Sequence, residues 1–331
     1  MKEAMFWEEK EGDKVQCHLC PHECLIKEGG KGLCNVRKNQ RGKLNSLVYG
    51  KAASLAVDPI EKKPLYHFHP GSKVLSYGTI GCNLSCSFCQ NASLSCGDPE
   101  SPYLKERSVE EMVREIKIHD GIAWTYNEPT ISYEFSYDVF KKLKEDSDRY
   151  TVYVTNGYIQ QEPLRDIIPH LDAMNIDIKA FTDEFYRDIA GGTLQPVLDT
   201  AETAVSEGVH VEVTYLIIPG HNDSKKELHR FSSWVKDKLG EDTVIHFSRF
   251  HPDHKMRDTP STPTDKMKEA RKIAEKVGMN FVYIGNMRAN NDTRCPECDT
   301  TILSRSYFSA GKLNLEEGNC PNCGRKIPIV T

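Results

Sequence analysis

The sequence has no long apolar run, no basic block and no dinucleotide fingerprint, and each gap removes a class of function. No stretch approaches the roughly 18 consecutive apolar residues that cross a bilayer, so no membrane-spanning role is expected. Lysine and arginine (43) are outnumbered by aspartate and glutamate (48), and the formal net charge is −5. That balance argues against a nucleic-acid partner. The missing G-x-G-x-x-G segment withdraws the usual sequence support for a doubly wound nucleotide-binding sheet. The first fourteen residues are charged throughout and do not form a secretory signal, so a cytoplasmic location is expected.

What the chain has instead is cysteine, twelve in 331 residues, and the cysteines are grouped. Disulfides are rare where cellular thiols are kept reduced, so grouped cysteines point to metal chemistry. Four fall at Cys17, Cys20, Cys24 and Cys34. Three form Cys82-x3-Cys86-x2-Cys89, Cys96 stands alone, and four more are Cys295, Cys298, Cys320 and Cys323. This grouping suggests three parts: a cysteine-rich module and connector over 1–70, a core over 71–290 and a small module over 291–331.

The central loop is the focus. Three thiols within eight residues can close on one small inorganic object. A [4Fe–4S] cluster takes four thiolates, so three would leave one iron open to another ligand. A three-thiol zinc site with a remote fourth ligand, or plain buried cysteines, are the competing readings. The first four cysteines suit structural zinc or an iron–sulfur cluster, which ligand softness does not separate, and Gly29, Gly30 and Gly32 supply tight backbone between the third and fourth. The last four read Cys295-Pro-Glu-Cys298 and Cys320-Pro-Asn-Cys323, paired knuckles that fit a closed zinc ribbon with a hairpin tip at 316–318, a rubredoxin-like iron or a second cluster being the alternatives. Cys96 reads as a bystander, with a substrate-side thiol as the alternative.

Between 73 and 284, short β-branched runs alternate with stretches of helical period. Strands are expected at 73–77, 122–125, 151–155, 173–178, 210–217, 244–248 and 281–284. Helices are expected at 109–119, 131–144, 162–168, 196–207, 224–239 and 264–277, with a capping box at Ser108–Glu111 and C-caps at Gly240 and Gly278. Residues 43–57 alternate loosely as strands until Asp58-Pro59 breaks them. In the 60–70 connector, His67 and His69 read as packing or solvated residues rather than ligands. The fold class is α/β: a partial (β/α)6-type TIM barrel with small modules at either end. Function in such barrels gathers where strands end. The strands here run into the cysteine loop, Tyr126-Asn127-Glu128, Asn156-Gly157, Asp177-Ile178-Lys179, Pro219-Gly220-His221 and Arg249-Phe250-His251.

The Cys82-x3-Cys86-x2-Cys89 spacing followed by Gln90-Asn91 resembles the signature of radical S-adenosylmethionine (SAM) enzymes. The resemblance implies a [4Fe–4S] cluster on those cysteines whose open iron chelates SAM. Reductive cleavage to a 5′-deoxyadenosyl radical and hydrogen abstraction would follow. Glu128 is similar to the acid of the family's Gly-Gly-Glu motif, which binds the SAM ammonium, although both glycines are absent. Asn156, with Gly157, resembles the Thr-Asn-Gly segment of the pyruvate formate-lyase activating branch. Asp177 and Lys179 resemble its Asp-x-Lys motif near the SAM ribose and carboxylate, and His251 resembles a rim histidine. Thr214 stands where that branch carries arginine. Plainer readings exist: Asp177 and Lys179 as an internal ion pair, Glu128 as a helix-start acid, His251 as a solvated side chain.

Cys17-His-Leu-Cys-Pro-His, Gly32-Leu-Cys-Asn-Val-Arg, Asp58-Pro-Ile-Glu-Lys-Lys-Pro-Leu and Thr125-Tyr-Asn-Glu-Pro together resemble the radical SAM protein of the AmmeMemoRadiSam system. That likeness implies a Memo-like protein and a second small protein as partners, beside a one-electron donor. The expected role is an activase-like oxidoreductase acting on a protein or peptide. The alternatives are radical modification of a small metabolite or RNA base, and a non-catalytic zinc scaffold with a degenerate barrel.

Overall fold

The computed structural model describes residues 2–331. Its central sheet contains β1 (Ser54–Pro59), β2 (Lys73–Gly78), β3 (Gly121–Trp124), β4 (Tyr150–Thr155), β5 (Ala173–Asp177), β6 (His210–Ile217), β7 (Val244–Arg249) and β8 (Val282–Gly285). The strands lie side by side in chain order. β2 through β8 are parallel, while β1 runs antiparallel to β2. Strict chain order with a helix in each parallel connection is barrel topology; a doubly wound sheet would reverse its order at a switch point. Among the described residues β1 and β8 do not pair, so the barrel is open.

Six helices fill the parallel connections: α1 (Val109–Ile116), α2 (Tyr133–Asp146), α3 (Gln161–Ile167), α4 (Gln195–Ser206), α5 (Lys225–Trp234) and α6 (Thr264–Val277). The α1 capping box forms as expected, Ser108 Oγ accepting from Glu111 N and the Glu111 carboxylate accepting from Ser108 N. Gly278 closes α6 at φ +102°, a left-handed position that glycine occupies without strain. Trp124 is fully buried, edge-on to Phe140 at 5.4 Å, and its indole N–H reaches Ser132 Oγ at 2.9 Å. That pairing ties β3 to the outer helical layer.

The first expectation to be corrected concerns 43–59. Lys43–Ser46 pairs with Arg37–Gln40 in a small sheet of the N-terminal module. Asp58 and Pro59 do not end a strand but complete β1, the edge of the central sheet. An edge tolerates proline because no neighbour needs its missing N–H. Asp58 is held inside by Lys62 (2.7 Å), Lys63 (2.8 Å) and the Tyr126 hydroxyl (2.7 Å).

The opposite end of the barrel is closed by the connector and the last module. Glu212 is completely buried. It accepts from Tyr66 N (2.9 Å) and His67 N (2.7 Å) and pairs with His210 (3.1 Å) and His246 (2.6 Å). His67 is buried against the Tyr283 hydroxyl at 2.8 Å, and His69 stacks on Tyr150 at 4.7 Å, both as packing residues. Arg305 of the last module donates to Tyr66 O and Thr293 Oγ1, each at 2.5 Å. Val330 exchanges backbone hydrogen bonds with His67 and His69, both at 2.8 Å.

Candidate functional site

β2 ends at Gly78, and the chain folds over the C-terminal ends of the strands as a loop carrying Cys82, Cys86 and Cys89. The loop is pinned residue by residue. Asn127 accepts from Thr79 N at 3.0 Å and donates to Gly81 O at 2.9 Å. Asn83 donates to Tyr158 O (2.6 Å) and accepts from Asn156 Nδ2 (2.9 Å). From the far side, Ser85 N and Ser87 N donate to Ala190 O (2.8 Å) and Ile189 O (2.9 Å) in a π-helical turn, Tyr186–Ala190. Such turns often mark functional positions. A Cβ on Gly191 would stand 2.3 Å from Ser85 Oγ, so only glycine lets the turn and the loop touch.

The sulfurs sit among groups suited to a bound thiolate. Cys82 Sγ accepts from Leu84 N at 3.4 Å and faces Asn156 Nδ2 at 3.7 Å. Cys89 Sγ lies 3.3 Å from Ser95 Oγ. Burial pushes the Cys82 thiol up, and the Glu128 charge adds to it; burial pushes Cys86 up to about 11. Free thiolates are thus disfavoured, and a positive partner would stabilise them. Lys179 is that partner in part: burial opposes its charge, but Asp177, 2.6 Å away, and Cys86 hold its ammonium protonated. Among the described residues, the triad does not bring three ligand atoms within 4.8 Å of one another, whereas Cys295, Cys298, Cys320 and Cys323 do. One tetrahedral zinc ion with sulfurs about 2.3 Å away needs them within about 4 Å of each other. The wider triad fits a cluster better than a single ion.

The other expected site residues fall into two groups. Asn156, Asp177 and Lys179 reach the cysteine loop as described. His251 lies exposed at the same rim, its Nδ1 3.3 Å from Gln90 Nε2. Glu128 stands at the rim but is turned inward. One carboxylate oxygen accepts from Thr130 N (3.0 Å), Thr130 Oγ1 (2.7 Å) and Thr155 Oγ1 (2.6 Å), the other from Asn156 N (2.8 Å). Three donors from the chain fill one oxygen, while among the described residues the other accepts only from Asn156 N. Thr214 turns to Asn175 Oδ1 at 2.9 Å rather than to the loop.

Sequence reasoning placed Asn127 at the strand ends without its role, and missed Asn83 and the 183–192 segment. The asparagines act through ordinary amide hydrogen bonds that no spacing rule announces; Gly191-Gly192 was the one visible signal. At the C-terminal module, Cys295–Cys323 and Cys298–Cys320 sulfurs stand 3.5 Å apart, close enough to share one ion. The tip at Glu317 and Gly318 turns with φ 51° and 82°, a two-residue hairpin of the favoured hand. The N-terminal four converge on one cavity that also includes Leu19, Ile26 and Arg37 in its wall.

The fold and site define an open parallel barrel that carries a three-cysteine loop where its strands end. The family model described as Radical SAM superfamily matches residues 76–232, the stretch from β2 into α5. An uncharacterized protein of Methanocaldococcus jannaschii is 45% identical over 337 residues, covering 100% of both chains. The pyruvate formate-lyase 1-activating enzyme of Escherichia coli is 21% identical over 65% of this chain and 93% of its own. In structure, a radical SAM methyltransferase from Sphaerobacter thermophilus superposes with a TM-score of 0.53 at 16% identity, covering 71% of this chain and 70% of that one. The chain belongs to the radical SAM superfamily.

Proposed function

We propose that this protein is an activase-like radical SAM enzyme whose substrate is another protein. The observation that carries the radical chemistry is the convergence of Asn156, Asp177, Lys179 and His251 on the loop of Cys82, Cys86 and Cys89. With a [4Fe–4S] cluster and SAM bound, the site is supplied with a 5′-deoxyadenosyl radical by one-electron cleavage of the sulfonium. Cys82, Cys86 and Cys89 would hold the cluster, three thiolates where four are usual. Lys179, held charged by Asp177, offers a cation to an anionic group of the cofactor. Asn156 fixes the loop through Asn83 and turns its amide on Cys82. Buried Leu84, Phe88 and Tyr158 keep water from the loop's underside. Glu128 serves as the clamp between the ends of β3 and β4.

The protein-substrate reading is supported by the relationship to the E. coli enzyme, whose name describes activation of pyruvate formate-lyase. The Memo-like protein and the second small protein are proposed as its partners, and zinc as the ion of the C-terminal four-cysteine site. Anaerobically reconstituted protein, given SAM and a low-potential reductant, should form 5′-deoxyadenosine, and Cys86→Ala should abolish it with the fold retained. Formation should rise when the partner proteins are added. Retained cleavage in the variant would refute the cluster assignment; turnover with a small metabolite alone would eliminate the protein substrate.

A further inference from the structure

We propose that the pocket of Cys17, Cys20, Cys24 and Cys34 binds a second iron–sulfur cluster, which feeds electrons to the rim loop. The first argument is size. The C-terminal four sulfurs are drawn together as one ion requires, but no three of the N-terminal four lie within 4.8 Å of one another, among residues that the structure describes. They nonetheless wall a single cavity. Gly32 stands between two of them: a Cβ there would lie 3.7 Å from Cys24 Sγ and 3.8 Å from Cys34 Sγ. Glycine at this place keeps the space between the sulfurs free. The object that all four can reach is larger than one ion, and four thiolates are the ligand set of an iron–sulfur cluster.

The second argument is the wall itself. Arg37 is 1% exposed and lines the cavity, donating to Cys17 Sγ at 3.6 Å and to Met5 O at 2.9 Å. Its Nε is buried with no hydrogen-bond partner. A buried cation donating to a ligand sulfur offsets the charge of an anionic cluster, and such hydrogen bonds help to set its potential. An ion pair with Glu134 anchors the guanidinium to the barrel.

The third is position. His22, two residues after Cys20, places Nε2 2.6 Å from Asn83 O, and Asn83 follows Cys82. On the other side, a Cβ on Gly81 would meet Cys34 O at 2.8 Å and Val36 Cγ1 at 2.5 Å, and Gly81 is held at φ +97°. The two cysteine sets therefore touch through Cys20–His22–Asn83–Cys82 and again through Cys34–Gly81. One electron enters from an external low-potential one-electron donor, which is oxidised by one electron, and moves inward along this contact; no proton or bond moves with it. The relay, though not the cluster, rests on the radical SAM reading of the rim loop.

The experiment uses the full-length chain and its C82A/C86A/C89A variant, both reconstituted under argon with ferrous iron and sulfide. The variant should remain folded by thermal melt, stay brown, and keep about half of the wild-type iron. Its reduced EPR signal should not change on adding SAM. A colourless variant that takes up zinc in this pocket would overturn the second cluster. In reduced wild type, the same signal should saturate at higher microwave power than in the variant, because a paramagnetic neighbour speeds its relaxation. Identical saturation would overturn the relay, while loss of SAM cleavage in wild type reports separately on the rim loop.

Discussion

Four donors converge on the Glu128 carboxylate, so an amide in its place would set N–H against N–H. Glu128→Gln is therefore not conservative. It should lower stability by about 1–3 kcal/mol, the cost of leaving a buried donor unmatched, read as a lower Tm without SAM present. An unchanged Tm with weakened SAM affinity would instead support the ammonium-binding role that its resemblance implies. Gly191 is the second residue whose effect is indirect. Gly191→Ala places a methyl 2.3 Å from Ser85 Oγ at a φ of +80°. The backbone strain alone is worth roughly 1–3 kcal/mol, and the clash falls on the loop of Cys82, Cys86 and Cys89. Iron content should fall well below wild type while the far-ultraviolet spectrum is kept; a fully loaded variant would show that the π-helical turn does not support the loop.

At the scale of elements, the seven parallel strands and six helices were legible because both faces of the sheet and one face of each helix are apolar, and those periods survive in the sequence. The edge strand β1 was not, because Asp58-Pro59 reads as a turn unless one sees Lys62, Lys63 and Tyr126 around the carboxylate. Nor was the 183–192 segment, whose short helix and π-helical turn carry no sustained period. The grouping of the three thiols was legible from spacing and their cluster role only from the resemblance, whereas the inward turn of Glu128 was in neither, since donors from three separate positions decide it. The ribbon was read from its paired knuckles, and its removal can be tested as an element. Cys295→Ala should release one metal ion per chain and lower Tm, because closing such a site contributes folding energy. Unchanged metal content would refute the four-sulfur site. Cys86→Ala should leave that metal in place.

Across the molecule as a whole, the buried base of the barrel makes stability depend on acid. Burial holds His67 down to about 3, from an ordinary 6.5. Above pH 6.5 its imidazole is neutral in both states and adds no pH dependence. Between 6.5 and about 3 the unfolded chain takes up a proton that the folded chain refuses, so stability falls with acid by about 1.4 kcal/mol per pH unit. Glu212 acts in the same direction further down: against burial, His210 and His246 hold its carboxyl well below 4.5, and the stability this gives is lost as pH drops below that value. The Tm should decline from pH 6.5 downward and more steeply below 4.5. A flat profile between 6.5 and 4.5 would mean that His67 is not sealed from water. Glu212→Gln should cost roughly 3–5 kcal/mol at neutral pH, since it breaks a buried charge network.

The bond between Val330 and the 67–69 connector also has a consequence for synthesis. While a nascent chain is still threaded through the ribosome, the connector lacks this partner until residue 330 has emerged, and Tyr66 waits in the same way for Arg305. The floor of the barrel is thus latched only after every strand of the central sheet has been made. A product stalled or clipped before residue 330 would leave the ribosome with its rim formed and its base ajar, a shape that quality-control proteases can grip.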